Sequence, residues 1–128
     1  AHHARRYAWL ALDAERMIAG EMGAARWFDV PEAGALRFRR ELGAMCAGFA
    51  RVLAPGGKAA VVIADGAAGE DALRADKMLR EAADGVGLAV VARASQDRKV
   101  FDADSLRAFS KRPKREHVVV LGKTDRSQ

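Results

Sequence analysis

Residues 49–65 read Phe49-Ala50-Arg51-Val52-Leu53-Ala54-Pro55-Gly56-Gly57-Lys58-Ala59-Ala60-Val61-Val62-Ile63-Ala64-Asp65, and the fold is decided here. The stretch contains the end of a helix, a stop, and the whole of a strand. Upstream, Phe38, Leu42, Met45, Phe49 and Val52 are spaced by four, three, four and three, which is one helical face, so a helix is expected from Ala35. Pro55 cannot continue it, and Gly56 and Gly57 are expected to supply the positive φ angles of a tight turn. The run Ala59 to Ala64 has no polar alternation. A strand apolar on both sides is one with both faces covered, as in a parallel sheet flanked by helices.

Working outward, a glycine-containing loop over 66–69 leads to a second amphipathic helix, with Leu73, Met78, Leu79, Ala82, Ala83 and Val86 on one side and Gly85 and Gly87 at its end. Leu88 to Ala92 reads as a second strand and His117 to Leu121 as a third. Between them only Ser105 to Phe109 suggests a helical turn. Without a crossover helix, the third strand is expected to run antiparallel to its neighbour. Before the first helix, Pro31 and Gly34 mark a break. Residues 1–30 are rich in Ala, Leu, Met and Arg and are expected to be helical, with Trp9 in the core of the first helix and Tyr7 either there or at a site. The whole, 1–128, is expected to be a single α/β domain.

Half of the 128 residues are hydrophobic, enough for a real core at this size. No apolar run of roughly 18 or more residues occurs and no basic stretch precedes an apolar signal core, so no membrane partner and a cytoplasmic location are expected. The single cysteine, Cys46, lies in a helical pattern beside Met45 and near Phe49 and is expected to be a core thiol. The net charge of +5 is carried by residues 93–128, with ten Lys and Arg against five Asp and Glu. That excess suits either a surface that meets phosphates or a solvated basic loop.

The phrase Arg51-Val52-Leu53-Ala54-Pro55-Gly56-Gly57 ahead of Val61-Val62-Ile63-Ala64-Asp65 resembles the helix, turn and fifth strand of class I S-adenosylmethionine-dependent methyltransferases. Two further segments narrow the resemblance. Residues 1–10 (Ala-His-His-Ala-Arg-Arg-Tyr-Ala-Trp-Leu) with Glu21-Met22-Gly23-Ala24-Ala25-Arg26 are similar to the stretch after the Pro-Pro-Tyr motif of DNA and RNA amino-methyltransferases. Lys114-Arg115-Glu116-His117-Val118-Val119-Val120-Leu121 resembles the last strand of the same group. The resemblance implies a partial Rossmann-like sheet with strands equivalent to 5, 6 and 7, the last one antiparallel and inserted between the other two, with flanking helices. It implies methyl transfer from S-adenosylmethionine to a base amino group of DNA or RNA. The chain lacks the family's Gly-rich cofactor loop and its Pro-Pro-Tyr motif, since its three prolines stand apart at 31, 55 and 113. The expectation is therefore a C-terminal fragment, inactive alone, with no catalytic residue assigned. S-adenosylmethionine is the parent protein's cofactor and is not expected to bind this chain by itself.

Arg5, Arg6 and Tyr7 would flank the absent motif, where cations hold phosphate and an aromatic ring stacks on a base. Lys111, Arg112, Lys114 and Arg115 form the densest basic cluster, stiffened by Pro113, and the resemblance puts them on the substrate side of the sheet. Together these are the candidate nucleic-acid-binding residues. With His2 and His3 far from His117 in sequence and no acidic residue at ligand spacing, no metal site is expected. Asp65 is expected to cap the loop before Ala67, or to lie near substrate; Glu116 is expected to pair with a basic neighbour. Two readings remain open: the methyltransferase fragment, and a non-catalytic α/β module binding nucleic acid or protein through its basic C-terminal region. A free edge on the strand Lys58 to Asp65 is expected to make the isolated chain either a homodimer joined near this strand or marginally stable and prone to aggregate.

Overall fold

A computed structural model describes residues 31–124, together with Arg6 and residues 9–13 and 16–17. The fold is mixed α/β, and among the described residues from Pro31 onward it comprises a three-stranded antiparallel sheet, a two-stranded hairpin and three helices. In order they are α1 (Pro31–Val52), β1 (Lys58–Ala64), β2 (Gly66–Ala68), β3 (Asp71–Leu73), α2 (Ala75–Asp84), β4 (Leu88–Arg98), α3 (Ala103–Ala108) and β5 (Lys114–Lys123). The expected helical segment 1–30 falls largely outside the described residues. Trp9, expected in a core, is 86% exposed, because no described residue packs on it.

The helix α1 starts four residues before the expected Ala35. Pro31, read as a break, is its first residue, where the missing N–H has no helical acceptor to lose and φ is already set. Val52, expected on the apolar face, is 73% exposed; Leu53, just past the helix, packs against the core instead. Gly56 alone takes a positive φ in the turn, at 76°. Gly57 is required for a different reason: a Cβ there would lie 2.8 Å from the Ala54 carbonyl oxygen.

In the sheet, β5 lies between β1 and β4 and runs antiparallel to both, so β1 and β4 point the same way. The helix α2 carries the chain from one to the other. Leu42 and Cys46 of α1 and Met78, Leu79 and Ala83 of α2 pack on Val61, Leu88, Val119 and Leu121 of the sheet. Cys46 is a buried free thiol, as its helical setting implied. The other sheet face is bare among the described residues: Val62 is 68% and Val118 44% exposed. Full cover of β1 on both faces is thus not found; it is an edge strand in an antiparallel sheet with one layer of helices.

Other elements also depart from their sequence-based bounds, and β5 runs from Lys114 to Lys123 rather than from His117 to Leu121. Residues 66–73, read as a loop and helix start, form the β2–β3 hairpin, and Leu73 is buried in β3 rather than in a helix. Residues 103–108 form α3, whose N-cap Asp102 accepts a hydrogen bond from the Ser105 amide at 2.9 Å. The strand β4 continues past Ala92 to Arg98 through a β-bulge at Val91, where Val90 pairs with Leu121 but Ala92 with Val120. That bulge inverts the alternation. Beyond it Arg93, Ser95 and Asp97 stand opposite Val119, His117 and Arg115.

Candidate functional site

The bulge and the end of β1 build one cluster of polar side chains. Asp65 follows β1 and His117 lies in β5, both buried almost completely. His117 Nε2 is 2.9 Å from Asp65 Oδ1, and its Nδ1 is 2.7 Å from the Ser95 hydroxyl. An ionised Asp65 can only accept, so Nε2–H donates to it, and Nδ1 pairs with the Ser95 hydroxyl. Without the bulge, residue 95 would face the open side of the sheet and His117 would lose this partner.

Asp65 is the hub. Its Oδ1 also accepts the Ala75 amide at 3.0 Å, which caps α2 from outside, because Arg74 at the N-cap position makes no side-chain cap. Its Oδ2 accepts from Arg74 Nη1 at 2.9 Å and from the Arg115 amide at 3.1 Å. Burial by itself pushes the Asp65 carboxyl up, but the hydrogen bonds from His117, Ala75, Arg74 and Arg115 together outweigh it and hold the group below the ordinary range. The expected cap of the loop before Ala67 is not what Asp65 does: it ties β1 to α2 and to the start of β5.

Arg74 extends this tie to the basic segment. Its guanidinium donates to the carbonyls of Pro113 at 2.7 Å and Arg112 at 3.2 Å, and lies 5.2 Å from the centre of the Phe109 ring. A planar fork that reaches a carboxylate and two carbonyls fixes a loop in a way lysine could not. Residues 109–115 are thus held against α2. The result is a cleft of about 450 Å³ lined by Asp65, Arg74, Asp76, Lys77, Asp97, Arg112, Pro113, Arg115 and His117. It opens at the carboxyl ends of β1 and β4.

Of the candidate residues, Arg112 and Arg115 line this cleft, whereas Lys111 is exposed beside it. Lys114 is half-buried in β5 and acts electrostatically on Asp102. Arg115 is engaged with Asp97 at 3.3 Å. Arg6 is exposed, and Arg5 and Tyr7 lie outside the described residues. Glu116 does pair with a cation, but with Arg98 across the sheet at 3.2 Å rather than with a sequence neighbour. The reading of the sequence missed Arg74, Asp76 and Lys77, which only the tertiary fold brings to the segment 111–115.

Asp65, Asp76 and His117 place three possible metal-ligand atoms within 4.8 Å of one another, so acidic groups do reach His117, from residues remote in sequence. The charges nevertheless oppose a cation. Arg74 neutralises Asp65 and Arg93 neutralises Asp76, leaving no surplus negative charge for a divalent ion. The order hydroxyl, imidazole, carboxylate in Ser95, His117 and Asp65 also has the components of nucleophilic catalysis. Here His117 is 1% exposed with both ring nitrogens engaged, and Asp65 accepts from four donors, so the Ser95–His117–Asp65 series ties β4 and β5 to the end of β1.

No protein-family model matches this chain, and no curated protein or solved structure matches it significantly.

Proposed function

We propose that this chain is the C-terminal part of a class I methyltransferase that moves a methyl group from S-adenosylmethionine to a base amino group of DNA or RNA. One observation carries the proposal. In open α/β sheets ligands bind outside the carboxyl ends of the parallel strands, and there, lined by Asp65 just after β1 and Asp97 near the end of β4, this chain holds a cleft flanked by its densest basic segment. In this reading β1, β4 and β5 are strands 5, 6 and 7 of a Rossmann-like sheet, and the bare face and free edge of β1 are where the cofactor-binding half sits. The target amino group would have to be unpaired or flipped out to be reached.

The test is methyl transfer by the protein that carries this chain, given S-adenosylmethionine labelled in its methyl group and single-stranded or duplex DNA or RNA. Label recovered on an exocyclic amine after digestion to nucleosides is the expected result. Nucleic-acid binding with no transfer would replace this reading with that of a non-catalytic binding module.

A further inference from the structure

The cleft contains three carboxylates, yet its charge is not balanced. Asp65 is matched by Arg74, Asp76 by Arg93 from β4, and Asp97 by Arg115. Arg74 is further committed to the carbonyls of Arg112 and Pro113. Lys77 and Arg112 remain, both exposed on the cleft wall and neither with an ion-pair partner among the described residues. They come from opposite sides, Lys77 from the first turn of α2 and Arg112 from the segment that Arg74 pins. Two unmatched cations facing one concave space of about 450 Å³, within the roughly 300–1,000 Å³ typical of ligand sites, select an anion. Arg112 supplies a fork that fits a phosphate's oxygens and Lys77 a compact point charge. The fixed backbone of residues 112–113 means that little ordering entropy opposes binding.

We propose that this cleft is a phosphate subsite for the backbone of a nucleic-acid strand, with Lys77 and Arg112 as the contacting cations. It deepens the nucleic-acid reading above and rests on it for the identity of the polymer. The subsite is a point of grip on the sugar–phosphate chain and does not read the base.

The experiment is fluorescence anisotropy of a short single-stranded oligonucleotide titrated with the chain across a range of salt, without S-adenosylmethionine. Lys77→Gln and Arg112→Gln, both at exposed positions, should each lower the magnitude of the slope of log K against log salt by about 0.7, and the double variant by about twice that. Lys58→Gln, at the opposite end of β1, should leave the slope unchanged. Circular dichroism confirms that each variant is folded. Unchanged slopes in Lys77→Gln and Arg112→Gln, or an equal fall in Lys58→Gln, would overturn the subsite. A nucleoside monophosphate that binds as tightly as the oligonucleotide would overturn the assignment to a strand. Methyl transfer with unchanged slopes sinks the subsite alone; slopes that fall as expected in a protein without methyl transfer sink only the enzymatic reading.

Discussion

Asp65 shows how one buried carboxylate organises a cleft. Four donors, from α2 with its N-cap residue and from β5, converge on it, so its charge is held by geometry rather than by solvent. Asp65→Asn keeps the shape but leaves Arg74 facing a neutral amide, and should cost about 3–5 kcal/mol, the usual penalty for breaking a buried pair from one side. Urea denaturation of the two proteins measures this. The pH dependence has a definite sign. A carboxyl held below its ordinary value in the folded state gives stability that is complete above the unfolded value, near pH 3.9, and is lost as pH falls through the folded one. The wild type should therefore lose stability on acidification below about pH 4 more steeply than Asp65→Asn. Parallel acid profiles would show that Asp65 is not ionised in the folded protein.

At the scale of elements, the bulge at Val91 decides which residues meet. Gly122 faces it, where a Cβ would come within 3.0 Å of Val91 Cγ1, so the bulge and the glycine belong together. Deletion of Val91 should restore simple alternation and turn Arg93, Ser95 and Asp97 to the open face. The loss of the Ser95–His117 hydrogen bond and the Arg93–Asp76 pair should cost at least about 1–3 kcal/mol, read by thermal melting, and a stable deletion variant with an unaltered His117 ring resonance would contradict this. The edge strand yields a second expectation. If β1 pairs with a second copy, Val62→Lys, on the bare face at 68% exposure, should reduce self-association in sedimentation while changing stability by no more than about 0.5 kcal/mol. Association that is unaffected would place the contact elsewhere. These elements were unequally legible. The Phe38–Phe49 stripe, the Pro55-Gly56 stop and the apolar run of β1 announce themselves by period and composition. The bulge does not, because Val91 is one more apolar residue in an apolar strand, and the hairpin 66–73 is too short for its alternation to be seen.

For the molecule as a whole, the candidate site was half visible. The cluster Lys111 to Arg115 is a charge run that any reading of the sequence finds, whereas Arg74 and Lys77 sit in an ordinary amphipathic helix start and gain meaning only from the chain reversal that brings residues 109–115 against it. The sequence also bears on the proposed cofactor. Lacking the Gly-rich loop that would approach S-adenosylmethionine, the isolated chain should show no saturable micromolar site for it in calorimetry; a stoichiometric site would mean that the cofactor is held by other residues. Nucleic acid is proposed to meet this chain at the carboxyl ends of β1 and β4. Amide chemical-shift mapping during titration with a single-stranded oligonucleotide at low salt locates the contact surface. The largest shifts are expected at Asp76 and Lys77 and over residues 111–115, fading as salt is raised. Shifts confined to the outer edge of β1 or to the bare face around Val62 and Val118, with Lys77 and Arg112 unmoved, would contradict it.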